Sequence, residues 1–139
     1  AYFTEYRRYP VDSSTTSQET AVIQSDEVLM DVLLGSDNQT GQDGLNPRRI
    51  AFFSDKQAKR KGGGKFIKGI TLDDQGGGKL WDPYGGHYFV RMDLDYNNRV
   101  EKPQWDNSTD SRFLPESILV WSAGKDEDEN EASDNVKTW

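Results

Sequence analysis

The sequence contains no cysteine and only one histidine, His87. Disulfide bonds are therefore excluded, and the redox state of the compartment cannot be inferred from them. A histidine-rich metal site and a cysteine nucleophile are excluded as well, and the serine elbow Gly-x-Ser-x-Gly is absent. Pairs of carboxylates are plentiful, but surface acidity accounts for them more readily than glycoside chemistry. The residue types therefore indicate a protein that is not an enzyme.

The sequence also lacks long apolar runs and an excess of positive charge. No stretch of 18 apolar residues exists, so no membrane-spanning segment is predicted within these 139 residues. The 24 acidic residues outnumber the 17 basic residues, which gives a formal net charge of -7. Because phosphate binding needs a basic surface, this balance argues against nucleic acid as a partner. The length predicts one domain, 1–139, with a core of its own.

The most informative stretch lies at the end of the chain. The apolar run Ile118–Trp121 predicts a buried strand, and it leads through Ser122 and Gly124 into a loop crowded with carboxylates, namely Asp126, Glu127, Asp128, Glu129, Glu131 and Asp134. Carboxylates this close repel one another unless a hard cation neutralises them, as Ca²⁺ does with oxygen ligands. Val136 and Trp139 favour an ordered end to the chain. The pattern therefore predicts a cation-binding loop between two ordered segments.

A helix is predicted at the start of the chain, where Tyr2, Tyr6 and Tyr9 form one stripe before Pro10. No capping residue precedes it, so residues 1–9 are expected to be the C-terminal part of a longer helix. We expect Tyr2, Tyr6 or Phe3 to pack on a sheet.

A second helix is predicted between a cap at Ser25 and a stop at Gly35, with an apolar face formed by Val28, Leu29, Val32 and Leu33. Farther along, Asn46 and Pro47 are compatible with another helix start. Ile50–Phe53 is equally compatible with a short buried strand, and so few residues leave both alternatives open.

The only basic region is Lys56–Lys68, which surrounds the glycine triplet Gly62–Gly64. Its composition favours a solvated, flexible loop over a phosphate or nucleic-acid site. A P-loop would need Ser or Thr after Gly-Lys, and Phe66 stands there instead. A second triplet, Gly76–Gly78, predicts a mobile arm flanked by hinges.

An antiparallel sheet is predicted to follow the tight turn Asp82–Gly86. The segment from His87 to Leu94 alternates, and its buried face is expected to carry Tyr88, Val90, Met92 and Leu94. Asp93-x-Asp95-x-Asn97 imitates the start of an EF-hand loop, but it lacks the central glycine and the glutamate at the twelfth place. A hairpin turn through Asn97 and Asn98, with Val100 in the returning strand, is therefore favoured.

Three blocks of sequence carry a resemblance to a known family. They are Y-x-T-E-Y-x-x-Y-P at Tyr2–Pro10, D-P-Y-G-x-x-Y at Asp82–Tyr88, and S-A-G-K-D leading to S-D-N-V-K-T-W at Ser122–Trp139. In this order they resemble the major pseudopilins of the type II secretion system and their type IV pilin-like relatives. The blocks span nearly the whole chain, whereas Ser36–Gly78 matches the family little.

The resemblance implies a pilin-like α+β fold, in which an N-terminal spine helix packs on a small antiparallel β-sheet that carries a C-terminal calcium loop. It also implies a missing N-terminus, comprising a leader and an apolar half-helix that anchors the subunit in the inner membrane. One Ca²⁺ ion is implied in the loop, with five ligands: the carbonyls of Ala123 and Ala132 and the side chains of Asp126, Asp134 and Asn135.

Two departures from the family pattern affect this ligand set. The stretch between Asp126 and Asp134 is one residue longer than is usual, and Asn135 replaces an acidic or hydroxyl group. The loop is therefore expected to differ in shape, and Asp128 is an alternative ligand. The turn at Asp93, Asp95 and Asn97 is a second place where a cation could bind.

The function that the resemblance implies is structural. The chain would be a calcium-stabilised subunit of a type II secretion pseudopilus, or of a related type IV pilus-like filament, that supports protein transport across the outer membrane. Its partners would be copies of itself and the inner-membrane secretion assembly, and this domain would lie in the periplasm. The alternative is a minor pilin or a calcium-dependent binding or adhesion module, and a hydrolase ranks last.

Overall fold

The structure, a computed structural model, describes residues 2–11, 22–39, 44–107, 110–124 and 135–138. Within these ranges lie two helices, α1 Tyr2–Tyr6 and α2 Glu27–Leu34. The same ranges contain short strands, which are β1 Ile23–Gln24, β2 Lys59–Gly62, β3 Lys65–Ile67, β4 Gly69–Leu72, β5 Gly78–Trp81, β6 Phe89–Met92, β7 Val100–Glu101, β8 Phe113–Leu114, β9 Ile118–Ser122 and β10 Val136–Lys137. Neither of the described helices has the length and apolar character needed to cross a membrane.

The central element is a four-stranded antiparallel sheet in the order β1-β6-β9-β10. Three two-stranded antiparallel ribbons accompany it, formed by β2-β3, β4-β5 and β7-β8. The predicted mixture of helix and antiparallel sheet is therefore confirmed. The strand predicted at Ile118–Trp121 is confirmed too, with Ser122 as its last residue.

Strand β6 contributes to two cores, one on each side of the sheet. On one side Val90, Met92 and Leu94 are buried together with Tyr9 and Leu29, as the alternation predicted. The opposite side was not expected to be covered, yet Phe89 stacks there on Trp121 at a centroid distance of 5.9 Å. The second core is completed by Val100, Leu114 and Leu119. Phe89 is therefore partly buried on the face opposite to Val90 and Met92, because a second core covers that face.

Helix α1 is shorter than predicted, because Arg7 takes the left-handed conformation at φ 58 and ends it after Tyr6. Tyr9 therefore leaves the helical stripe, and it is Tyr9 that joins the core beneath the sheet. Tyr2 instead packs with Val32 and Leu45. Tyr2 and Phe3 line a cavity together with Val90 and Met92, beside the sheet face on which they were predicted to pack, but the ring buried in that core is Tyr9. The described part of α1 has five residues, which does not show a spine helix.

Helix α2 lies where it was predicted, but its cap is shifted by one residue. Asp26 is the N-cap and its carboxylate accepts from the backbone N–H of Val28. Ser25 is fully buried, and its hydroxyl donates to the carbonyl of Leu80 at 2.9 Å and accepts from the N–H of Tyr88 at 2.9 Å. The helix ends at Gly35 with φ 75, as the glycine predicted.

The loop after α2 is organised by Asn46, whose side chain is completely buried. Its amide nitrogen donates to the carbonyls of Val32 at 2.9 Å and Ile50 at 2.7 Å. Its amide oxygen accepts from the Tyr6 hydroxyl at 2.8 Å. Residues 46–53 consequently form a turn and extended chain, so neither the helix nor the strand left open for this segment is present. The asparagine satisfies backbone groups that would otherwise be buried without partners.

The glycine-rich region, which was predicted to be a loop and an arm between hinges, forms two hairpins. Strands β2 and β3 pair around Gly63 and Gly64, and β4 pairs with β5 along four residues. The second hairpin is tied to α2, because the N–H of Gly78 donates to the buried carboxylate of Asp31 at 2.9 Å. A Cβ on Gly77 would lie 2.0 Å from the same carboxylate oxygen, so the close approach requires glycine. Burial, reinforced by Asp73, raises the pKa of Asp31.

The turn after β6 is present, but it does not make the predicted hairpin. The carboxylate of Asp93 accepts from the N–H groups of Asn97 at 3.1 Å and Asn98 at 2.9 Å. Tyr96 and Asn98 adopt the left-handed conformation at φ 57 and φ 66. The chain then enters β7, which pairs with β8 and not with β6. The prediction that the strand at Val100 returns along β6 is therefore wrong.

We expect Met92→Ala to lower the free energy of unfolding by about 2 to 4 kcal/mol, because Met92 is buried in the core under the sheet. The measurement is the urea unfolding midpoint and slope. Leu72→Ala is the matched control, since Leu72 is 70% exposed and should change the midpoint little. Equal effects of the two substitutions would contradict the assignment of this face to the core.

Candidate functional site

The predicted calcium ligands divide into two groups in the structure. Ala123 and Asn135 are described, whereas Asp126, Ala132 and Asp134, together with the alternative Asp128, lie outside the described residues. Among the residues that the structure does describe, no group of three or more His, Cys, Asp or Glu side chains could hold a metal ion. The described residues therefore form the base of the loop, on either side of residues 125–134.

The base of the loop is closed by the pairing of β9 with β10. Ser122 lies opposite Val136, and Trp121 lies opposite Lys137 in the antiparallel register. The same register, continued by one residue, sets Ala123 opposite Asn135. The pairing therefore brings the first and the last of the predicted ligands to the same end of the sheet, although twelve positions of sequence separate them.

A buried carboxylate, that of Asp82, lies directly beneath this base. Asp82 is 1% exposed, and one of its oxygens accepts from the N–H groups of Tyr84 at 2.9 Å and Gly86 at 2.8 Å. Its other oxygen accepts from the hydroxyl of Ser122 at 2.8 Å. The backbone of Asp82 closes the turn as well, because its N–H donates to the carbonyl of Gly86 at 2.9 Å. One side chain thus defines the turn Asp82–Gly86 and attaches it to the end of β9.

Ser122 also fixes the backbone at the start of the loop. Its hydroxyl oxygen, while donating to Asp82, accepts from the N–H of Gly124 at 3.1 Å. Gly124 has φ 78, a conformation that side-chain-bearing residues rarely adopt. The spacing Ser-x-Gly therefore has a physical reason here, since the serine holds the glycine at the point where the chain leaves the sheet.

The negative charge of Asp82 also acts on its surroundings. The pKa of Tyr88 is raised, mainly by burial and then by the carboxylates of Asp82 and Asp55. Three hydrogen bonds from N–H and O–H groups satisfy the carboxylate of Asp82 where water does not reach it. Both of its oxygens are occupied by the protein itself, which suits a structural role better than proton transfer.

On the far side of the loop, β10 is held by an ion pair. The ammonium group of Lys137 donates to the carboxylate of Asp106 at 3.0 Å, and the Asp106 side chain is 3% exposed. The N–H of Thr138 continues the pairing with the carbonyl of Val120 at 3.1 Å. Both ends of the loop are thus attached to the folded domain by side chains as well as by the sheet.

Sequence reasoning placed the turn at Asp82 correctly but missed its partner. Asp-Pro followed by two glycines is a local turn signal, because the aspartate can accept from backbone N–H groups two and four residues on. Ser122 lies 40 residues away. No local pattern indicates that its hydroxyl meets this carboxylate, and no pattern indicates that Asp106 meets Lys137.

Two of the predicted calcium ligands, Ala123 and Asn135, belong to the loop base. The carbonyl oxygen of Ala123 and the side-chain oxygen of Asn135 are the ligand types that Ca²⁺ takes in proteins. A search with the whole chain found no matching family model, no matching curated protein and no matching solved structure.

We expect Ser122→Ala to lower the free energy of unfolding by about 1.5 to 3 kcal/mol, the usual range for a hydrogen bond to a charged group. The substitution removes a donor from the Asp82 carboxylate and an acceptor from the N–H of Gly124. Chemical denaturation measures the change, and Ser54→Ala is the control because Ser54 is exposed. A stability equal to that of the control would show that the buried hydrogen bond contributes nothing.

Proposed function

We propose that the chain is a structural subunit of a type II secretion pseudopilus or of a related type IV pilus-like filament. The observation that supports this best is the hydrogen bond between Asp82 and Ser122. Asp82 opens the second of the three sequence blocks that resemble the pseudopilins, and Ser122 opens the third. A contact between them gives both blocks one physical purpose, which is to set the base of the C-terminal loop.

A structural role also agrees with how the buried carboxylates are used. Asp31, Asp82 and Asp93 each accept hydrogen bonds from backbone N–H groups of a turn or hairpin. General acid or base chemistry needs a carboxyl group that can reach a substrate and exchange its proton with it. These three groups are occupied in shaping the chain, so the proposal assigns no catalytic residue.

The loop would be completed by one calcium ion. Its ligands would be the carbonyls of Ala123 and Ala132 and the side chains of Asp126, Asp134 and Asn135. The ion would neutralise carboxylates that otherwise repel one another. Because β9 and β10 hold the two ends of the loop together, less chain entropy would be lost when the ligands gather.

The proposal includes the surroundings of such a subunit. The domain would lie in the periplasm, anchored in the inner membrane by an N-terminal helix that continues α1 in the upstream direction. Its partners would be further copies of the subunit and the inner-membrane secretion assembly.

Calcium should stabilise the folded chain by about 2.7 kcal/mol when free calcium is about 100 times its Kd. Asp126→Ala and Asp134→Ala should each abolish this gain, because each removes a charged ligand. Calorimetric titration of metal-stripped protein and its melting temperature with and without calcium are the measurements. Absence of both calcium heat and a melting shift at millimolar calcium would eliminate the site.

Asp93→Ala is the control for this experiment. It removes hydrogen bonds to Asn97 and Asn98 and should lower stability, but it should leave calcium affinity unchanged. The opposite pattern, in which Asp93→Ala abolishes binding and Asp126→Ala does not, would assign the ion to the other turn.

Assembly is tested with the gene product as the host makes it. Overproduced protein should be recovered in filaments sheared from the cells, and electron microscopy should show fibres that react with an antibody to this domain. Chelation of calcium should reduce the yield of fibres. Protein found only as a soluble monomer under the same conditions would contradict the filament role.

A further inference from the structure

The hairpin β2-β3 is a positively charged element with an exposed first strand, and we call it the basic finger (residues 59–67). Lys59 and Arg60 are exposed, and neither forms an ion pair within the part of the chain that the structure describes. At the tip, a Cβ on any residue of the triplet Gly62–Gly64 would meet no atom within 4 Å. The finger carries basic residues and no acidic one.

A second surface has the complementary character, and we call it the aromatic cleft. It has a volume of about 560 Å³ and is lined by aromatic and acidic side chains, among them Phe3, Tyr9, Tyr96, Asp93 and Glu116. The rings of Tyr9 and Tyr96 are stacked at 5.8 Å, and Phe3 lies 5.0 Å from Tyr9. Tyr96 is 52% exposed, so the ring stack is open to a partner.

The charges of the aromatic cleft favour a cationic occupant. Its two charged lining residues, Asp93 and Glu116, are both acidic. Burial raises the pKa of the cleft residue Tyr9, and the carboxylate of Asp93 and the hydroxyl of Tyr96 raise it further. Aromatic faces attract ammonium and guanidinium groups, and an exposed carboxylate such as Glu116 can accept from the same groups.

The finger and the cleft lie at opposite ends of strand β6. The finger is attached upstream of the strand, because Lys61 donates to the carbonyl of Tyr84 and the N–H of Lys68 donates to that of Asp82 at 3.1 Å. The cleft is formed around Asp93, which directly follows the strand. Four residues of strand span about 13 Å. A finger tied at one end is therefore placed to meet the cleft of another copy rather than its own.

We propose that the basic finger of one copy docks into the aromatic cleft of a second copy, in a head-to-tail contact. Because the two surfaces differ, each copy keeps one finger and one cleft available after pairing, and repetition gives a ring or an open chain. Only the assignment of this contact to a pseudopilus rests on the proposed filament function. The contact itself does not. It is a weak contact between two copies of this chain and can be measured without other components.

The test uses charge reversal on both surfaces and sedimentation equilibrium at low ionic strength. The natural chain should associate weakly, and added salt should weaken the association. The finger variant Lys59→Glu/Arg60→Glu and the cleft variant Glu116→Lys should each lower the association constant by about tenfold or more. A mixture of the two variants should associate again, because the unchanged finger of the cleft variant can dock into the unchanged cleft of the finger variant.

Asp74→Lys is the matched control, because it makes the same charge change at an exposed position in the turn between β4 and β5. It should associate like the natural chain. A control that loses association as fully as Glu116→Lys, or a mixture of variants that stays monomeric, would overturn the proposal. So would a natural chain that stays monomeric at millimolar concentration.

Two further comparisons keep the outcomes distinct. If a reversed variant does not fold, Lys59→Gln/Arg60→Gln and Glu116→Gln should weaken association in the same order but less strongly, and unchanged association would overturn the contact. Filaments from the host that tolerate both reversals would refute the finger contact and leave the filament function standing. Restored association in the mixture without any filaments in the host would support the finger contact and refute the filament function.

Discussion

The carboxylate of Asp82 is the group on which the C-terminal half of the domain depends. A charge buried to 1% exposure is tolerated only when its oxygens are fully hydrogen-bonded, and here the donors are the N–H groups of Tyr84 and Gly86 and the hydroxyl of Ser122. Because these donors come from two parts of the chain, satisfying the charge also fixes their relative position. The turn, the end of β9 and the conformation at Gly124 are therefore one structural unit, and the acidic loop starts from a defined point.

Buried polar side chains that form hydrogen bonds with backbone groups also hold other segments that lack long helices or strands. Asn46 connects α1, α2 and the chain at Ile50, Asp31 holds the β4-β5 hairpin against α2, and Ser25 joins β5 to the start of β6. Strands of two to five residues supply few ladder hydrogen bonds. Buried polar side chains make up the difference, because each satisfies backbone groups that would otherwise be desolvated without a partner.

A domain held together in this way suits the proposed function, because its surfaces and their charges keep fixed positions. A filament subunit must present the same surfaces to each neighbour, and a sheet with a core on both sides keeps those surfaces fixed. The basic finger is attached to the chain upstream of β6, and the aromatic cleft is formed by residues that follow β6. The acidic loop begins and ends on paired strands, so an ion bound within it would stabilise β10, which has only two residues in the sheet.

The sequence by itself determined the features that depend on neighbouring residues. The strand at Ile118–Trp121, the turn at Asp82, the stop of α2 at Gly35 and the buried face of β6 follow from local propensity and period-two alternation. Predictions failed where a distant group competes with a local one. Ser25 is not the helix cap, because its hydroxyl is hydrogen-bonded to the backbone of Leu80 and Tyr88. The stretch after Asn46 is neither helix nor strand, because the Asn46 side chain forms hydrogen bonds with the backbone of Ile50.

Only the tertiary structure decided which parts of the chain meet. It placed Ser122 against Asp82, Lys137 against Asp106, and Tyr9 rather than Tyr2 in the core under the sheet. Such contacts join residues tens of positions apart, and their specificity comes from burial and from hydrogen-bond geometry, neither of which has a period along the chain. The sequence therefore predicts that Asp82 can organise a turn. That the hydroxyl of Ser122 completes its hydrogen bonds depends on the tertiary structure.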